Sequence, residues 1–306
     1  MEPFVPLTTE NSVAVEHVRH RLALGVQWQD ALTSLPVDGR WVSELQRIGA
    51  RVIVQHFDRH PLARHALRHC DRLAAVLTKA AADKVAAPPP DSSADQTNFV
   101  LQAWGEAQKS PTGYGTGNDP RRFVPRRLSL TPVQTDGVPT RSTDNIRTAL
   151  LWPGSNYPLA GSSTAVRGRI RRGPAPDKLV PVAWARVVIT RPAGPPNFAT
   201  ETQLGWAHGD DRGEFLAVLG PDAVPGGANL PASLALRVWV FLPPADAFNA
   251  ADPLASLPLD VGGTDASNAV LDGRQVPTTY LSKSPVDINP RLGRVFTMSD
   301  NHLTFT

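Results

Sequence analysis

A single cysteine, Cys70, in 306 residues excludes an internal disulfide. The fold must therefore hold by burial alone, and a reducing compartment suits it. Long apolar runs are missing too: no window approaches the roughly 18 residues that a membrane-spanning helix requires. The start, MEPFVPLTTENSV, lacks a basic stretch followed by an apolar one, so no secretory signal is expected and the location read from sequence is cytoplasmic. An assembled particle containing the chain would need another route out. Charge is sparse and nearly balanced, with 31 basic against 28 acidic residues. That excess does not by itself mark a nucleic-acid binder. Signatures of chemistry are scarce as well. There is no G-x-S-x-G, Ser155 follows Gly154 in a proline-bounded turn, and Gly113, Gly115 and Gly117 lead into Asn-Asp-Pro rather than a helix. The expectation is a chain with no cofactor and no enzymatic activity.

Proline is what the sequence has in excess, at 30 residues beside 23 glycines. Because proline interrupts helices and central strands, a helical bundle is excluded and a mainly β chain is expected. In RLALGVQWQDA, Leu22, Leu24, Val26 and Trp28 alternate with polar or small residues, the period of a half-buried strand. Pro36, Asp38 and Gly39 mark a turn, and residues 50–57 read as another short strand. From Pro61 the spacing changes. Leu62, Ala66, Cys70, Leu73 and Leu77 recur at steps of four and three, which predicts one helix of about 24 residues ending near Val85, with Arg64, Arg68 and Arg72 on its far face. A proline-rich tract follows, and NFVLQAWGEAQ reads as strand or short helix. RRFVPRRLSLTP and IRTALLWPGSNYPL read as strands. Four further strand segments separated by turns lie between Thr164 and Pro244. Beyond Ala245 only short apolar runs remain, which predicts an extended arm.

Three constellations are candidates for chemistry or binding. His56, His60, His65, His69 and Cys70 are close in sequence, and His65 and His69 have the i, i+4 spacing that lets two imidazoles share zinc on a helix. The motif lacks the glutamate of a protease helix, and Cys70 lies in the apolar stripe, so the reading is a solvated basic face and no metal. His208, Asp210, Asp211 and Glu214 gather around one turn, where they could hold calcium or act as an acid and base pair; the favoured reading is a hairpin in which Asp210 caps backbone amides and its neighbours are exposed. Arg167, Arg169 and Arg171 alternate along one strand and project from one face; Arg121, Arg122, Arg126 and Arg127 flank Phe123. Such patches suit phosphate backbones or carboxylates on a partner protein, and the protein reading is favoured. Trp184, Trp206 and Trp239 could stack on sugars, although in a sandwich they belong to core or interface.

The second block resembles the carboxypeptidase regulatory-like domains, seven-stranded sandwiches related to transthyretin and immunoglobulin folds. The resemblance rests on Val166, Gly168 and Ile170, on the strand Pro181, Val182, Ala185, Val187 and Ile189, and on the hairpin Asp210-Asp211-Arg212-Gly213-Glu214-Phe215 before Leu216 and Val218, with a closing strand from Leu234 to Phe241. It implies a positive φ at Gly213 and a buried Phe215. Pro225-Gly226-Gly227 departs from the family by lacking the usual tyrosine. The first block is similar to a diverged copy, through DALTSLPVDGRWV and Leu151-Trp152-Pro153-Gly154-Ser155-Asn156-Tyr157. The fold expected is therefore two antiparallel Ig-like, transthyretin-like β-sandwiches: residues 1–160 with a helical and proline-rich insertion at about 58–120, then 161–245, then an extended arm at 246–306. By architecture alone such a chain also resembles accessory structural proteins of phage-tail-like contractile injection particles.

The function read from sequence is a non-enzymatic structural or adaptor protein of a multi-subunit assembly. It would grip neighbouring proteins, or a second copy of itself, with its arm and with Arg167, Arg169, Arg171, Arg64, Arg68 and Arg72. Neither membrane nor nucleic acid is expected as a partner. The alternative is a carbohydrate-binding accessory module of a surface enzyme.

Overall fold

In the computed structural model of the chain, the residues described are 22–37, 41–47, 53–54, 58–60, 63–68, 99–108, 114–115, 117–130, 146–224, 231–245, 248–261 and 271–306. The chain is mainly β, with several sheets and no helix of seven or more residues among the described residues. No helix there is long and apolar enough to cross a membrane.

The first block contributes β1 (Leu22–Asp30), β2 (Trp41–Arg47), β3 (Ile53–Val54), β4 (Asp58–His60), β5 (Ala63–Arg68), β6 (Phe99–Gly105), β7 (Arg126–Leu130) and β8 (Ile146–Leu151). One sheet runs β4-β5-β1-β8, with β8 parallel to β1; another carries β7-β6-β2-β3. The period-two pattern of β1 is realised, since Leu24, Val26 and Trp28 enter a core shared with Leu101 and Ala103 of β6, Leu128 and Leu130 of β7, and Ala149 and Leu151 of β8. Burial of each such large side chain stabilises by about 1.5 to 3 kcal/mol.

The helix expected from Pro61 does not form over its described part. Ala63–Arg68 is β5, antiparallel to β1 with His65 opposite Val26 and Arg68 opposite Leu22. Ala, Arg and Leu favour a helix, but so short a stretch is marginal as a helix without tertiary packing, and pairing with the edge of β1 overrides it. Residues 69–85 of the expected helix, with His69, Cys70 and Arg72, lie outside the described residues, as does the turn at Asp38 and Gly39.

The second block contributes β9 (Ala165–Arg169), β10 (Arg171–Arg172), β11 (Val180–Pro181), β12 (Arg186–Arg191), β13 (Thr202–His208), β14 (Glu214–Val218) and β15 (Leu236–Leu242). Its sheets β13-β12-β15 and β14-β9 face one another across a common core. Val166, Ile170, Phe215 and Ala217 enter from one side, and Val187, Ile189, Ala207, Val238, Val240 and Leu242 from the other. The Asp210 hairpin has the local form its residues imply. Asp210 Oδ1 accepts from the backbone N–H groups of Arg212 and Glu214, both at 2.9 Å. Gly213 has φ +72°, where a Cβ would lie 2.4 Å from the Ile170 carbonyl oxygen, so only glycine fits.

The expectation of an extended arm after residue 245 is corrected by the strand pairings. β16 (Leu259–Val261) runs parallel to β7 of the first block, β17 (Leu281–Ser282) and β18 (Val286–Ile288) are antiparallel to β15, β19 (Val295–Thr297) is parallel to β9, and β20 (Thr304–Phe305) is parallel to β10. The tail folds back because each of those strands would otherwise present an open ladder of N–H and C=O groups. Its few apolar residues are well placed: Leu254, Leu257, Ile288, Met298 and Leu303 are all buried. Gly168 makes room for the last of them, since a Cβ there would lie 2.2 Å from Leu303 Cδ1.

The same tail closes the joint between the blocks. Trp104 and Val124 of the first block pack with Ala183 and Trp184 of the second and with Leu254 and Leu257 of the tail. Trp152 meets Val188, Trp206, Trp239 and Phe241 in another mixed cluster.

Candidate docking site

β9 has an inward face of Val166 and Gly168, continued by Ile170 after the strand ends. Arg167 and Arg169 therefore project from the opposite face, as the alternation requires, and both are exposed. The fold places this face at a groove of about 360 Å³. It is lined by Arg167, Arg169, Glu214, Leu216 and Thr297, by Ser155 and Asn156 of the turn after β8, and by Met298 and Asp300 of the tail. The sequence reading identified the arginines and missed Thr297, Asp300, Ser155 and Asn156. No local pattern could have found Thr297 and Asp300, which join the site through tertiary pairing more than a hundred positions away, and Ser155 and Asn156 arrive from the turn before β9.

Arg167 and Arg169 are each held by one bond to a neutral oxygen, and the charge of Asp300 acts on Arg169 at longer range. Arg167 Nε donates to Thr297 Oγ1 at 3.1 Å, and Arg169 Nε donates to the carbonyl oxygen of Arg212 at 3.2 Å. Neither has a carboxylate oxygen within 4.0 Å among the described residues. Arg171 differs: it is half-buried and ion-paired with Asp300, whose carboxyl that bond holds below its ordinary range. Arg172 lies beside it and donates to the Pro243 carbonyl oxygen at 2.7 Å. The Arg167, Arg169 and Arg171 stripe thus divides into two guanidinium groups without an ion pair and one paired with a carboxylate. Arg64 and Arg68 lie on β5.

The other basic group named in the sequence is a correction. Arg121 and Arg126 are buried. Arg121 Nη1 binds Asp210 Oδ2 at 2.7 Å and Asp211 Oδ1 at 2.8 Å, so Asp211 is buried against a partner rather than exposed beside its turn. Arg126 Nη2 binds Asp260 Oδ2 at 2.7 Å, while Arg186 Nη2 approaches Asp260 Oδ1 at 3.4 Å. Asp260 sits on β16, Arg126 on β7 and Arg186 on β12, so one tail carboxylate ties both blocks together. Burial pulls the Arg126 guanidinium below its usual value and Asp260 opposes that pull.

His208 is fully buried beside this triad, and burial followed by the charges of Arg186 and Arg126 holds it well below the ordinary histidine range. Its neutral ring donates from Nε2 to the Gly273 carbonyl oxygen at 2.8 Å. Gly273 has φ +69°, and a Cβ there would stand 2.8 Å from Trp152 Nε1 and 2.9 Å from Arg126 Cζ. The histidine is framework at this joint. Asp119 accepts from the Tyr114 hydroxyl at 3.2 Å and the Arg121 backbone N–H at 2.8 Å, and burial pushes its carboxyl up to about 6.

The metal spacing of His65 and His69 depended on a helix, and His65 instead lies on β5. No group of three or more metal-ligating side chains occurs among the described residues. Trp184, Trp206 and Trp239 are buried, as are the other tryptophans whose burial is described, Trp28, Trp104 and Trp152; Trp152 and Trp206 line a pocket of about 210 Å³.

No known family matches the chain, and no curated protein matches it. Among solved structures, GBS52, the minor pilin of the Gram-positive pathogen Streptococcus agalactiae, aligns over 87% of this chain and 83% of its own, at 7% identity and a TM-score of 0.21. A likeness that low carries no argument for fold or function.

Proposed function

We propose that the protein is a non-enzymatic structural or adaptor component of a larger assembly, and that it docks an acidic surface of a neighbouring protein in the Arg167 and Arg169 groove. The observation that carries this reading is the pair of exposed guanidinium groups, fixed on a packed strand with no carboxylate oxygen within 4.0 Å among the described residues. Each holds its orientation with one Nε bond and leaves its terminal nitrogens for a ligand. Guanidinium suits this task because its planar fork binds carboxylates in pairs of parallel hydrogen bonds. Protein is favoured over nucleic acid because the groove lining has no exposed aromatic ring on which bases could stack; Phe215, the one aromatic there, is 1% exposed. A transthyretin-like sandwich for the second block fits the same reading, as a rigid support for a binding face. The resemblance to contractile-particle proteins gains no support from the fold.

The test is sedimentation from native cells at low ionic strength. The full chain is expected to travel with a high-mass complex, and Arg167→Glu with Arg169→Glu is expected to release it while leaving the melting temperature nearly unchanged. A wild-type chain that sediments alone, or a double variant that stays bound, overturns the reading.

A further inference from the structure

The sheet that carries the groove runs β14-β9-β19, which makes β19 an edge among the described residues. Its pairing with β9 uses the Arg294 carbonyl, which accepts from the Ala165 N–H at 3.2 Å, and the Met298 N–H, which donates to the Arg167 carbonyl at 2.9 Å. Backbone groups alternate in direction along a strand, so those of Val295 and Thr297 point away from β9 to the open side. Val295 is 43% exposed, although it is a β-branched apolar residue on a strand. Arg167, opposite Thr297 in the register, reaches toward β19 with its Nε donating to Thr297 Oγ1. An open ladder, an exposed apolar residue and a free guanidinium therefore lie together within three residues of one edge.

Resting on the docking reading above, we infer that the acidic partner enters as an extended strand that adds to the open edge of β19. The incoming segment places an apolar residue beside Val295 and, two positions away, a carboxylate beside Thr297 for the fork of Arg167. The two-residue interval is dictated by the strand period, at which alternate side chains share one face about 6.6 Å apart. Main-chain bonds to Val295 and Thr297 would supply affinity and the apolar and acidic pair would supply selectivity, the division of labour of strand addition. A single-stranded nucleic acid could meet the arginines but has no use for an open amide ladder.

The test uses the full chain and a short capped, fluorescent peptide of strand-forming residues containing Val-Thr-Glu, read by polarisation. Binding is expected, with about a tenfold loss for Arg167→Ala, about a tenfold loss when the peptide Glu becomes Gln, and no further loss when the two changes are combined, the mark of a direct pair. Val295→Pro removes one open-side N–H and is expected to cost at least tenfold, whereas Val295→Thr, which keeps the N–H, costs less than threefold. Thermal melts of both variants show that each is folded. If Val295→Pro binds as wild type, strand addition is wrong even when Arg167 still matters. If an oligonucleotide of one strand displaces the peptide and binds more tightly, the partner class is wrong. If the peptide does not bind while charge reversal still strips the chain from its native complex, this inference fails and the docking reading stands.

Discussion

Arg126 and Arg186 at the joint, and Arg167 and Arg169 in the groove, carry the same guanidinium in opposite surroundings. The first two are almost wholly out of water and share Asp260. The second two stand in solvent with one bond each to a neutral oxygen. Removing a charge from water is tolerable only when an opposite charge and further hydrogen bonds surround it. Arg126 meets that demand with Asp260 and the carbonyl oxygens of Leu150 and Leu271, at 2.6 and 2.7 Å. Buried arginines are thus committed to the framework, and exposed ones without an acid remain available to a partner. In sequence the distinction is invisible, since Arg121, Arg122, Arg126 and Arg127 read as a basic patch just as the stripe on β9 does.

Removing Asp260 breaks the comparison most severely. Asp260→Ala strands two buried guanidinium groups and is expected to cost about 3 to 5 kcal/mol, read as a fall in the urea midpoint. If the loss is under about 1 kcal/mol, water reaches the triad and the two sets of arginines are not different in kind. Next in size is Leu303→Ala, expected to cost about 2 to 4 kcal/mol because it empties the space that Gly168 provides. Gly168→Ala should destabilise the wild type and cost much less in the Leu303→Ala background, since the two compete for one volume. Leu303 also secures the chain end beside the groove wall at Asp300, so its loss should weaken docking as well as folding.

The joint also explains which parts of the fold were legible in advance. Strands β1, β12, β14 and β15 announce themselves by alternation or by continuous apolar runs between turns, and the Asp210 hairpin by residues whose roles are local. The tail was misread because its strands are two or three residues long and have no pattern of their own; what orders them is the set of open edges on β7, β9, β10 and β15. The segment at Ala63 was misread for the same reason in reverse, a local spacing overruled by the edge of β1. For the groove, the arginine stripe was readable from period two, while its walls come from tertiary pairing.

A smaller effect separates the joint from the groove by pH. Asp119 is raised from 3.8 to about 6 by burial, so it takes up a proton on folding. Its contribution to stability is fully present below about pH 4 and is lost as pH rises through about 6, on the order of 1 to 3 kcal/mol. His208 works in the other direction: with its folded value depressed, stability is lost as pH falls below about 6.5. Asp119→Asn should remove only the first effect, so the difference between its urea midpoints and those of the wild type should grow from pH 4 to pH 6 and then level off. A constant difference would mean that Asp119 does not titrate in this range.

The smallest expected change is the most discriminating. Arg167→Ala and Arg169→Ala each remove an exposed side chain whose only bond is to a neutral oxygen, so each should alter stability by less than about 0.5 kcal/mol. Arg171→Ala is the internal control, because its ion pair with the exposed Asp300 is also a surface pair, worth about 0 to 1 kcal/mol and screened by salt. If Arg167→Ala destabilised the chain as Asp260→Ala does, that arginine would belong to the framework, and the groove would lose its claim to a partner. A variant that folds as well as the wild type and yet fails to dock places the function of Arg167 outside its own fold.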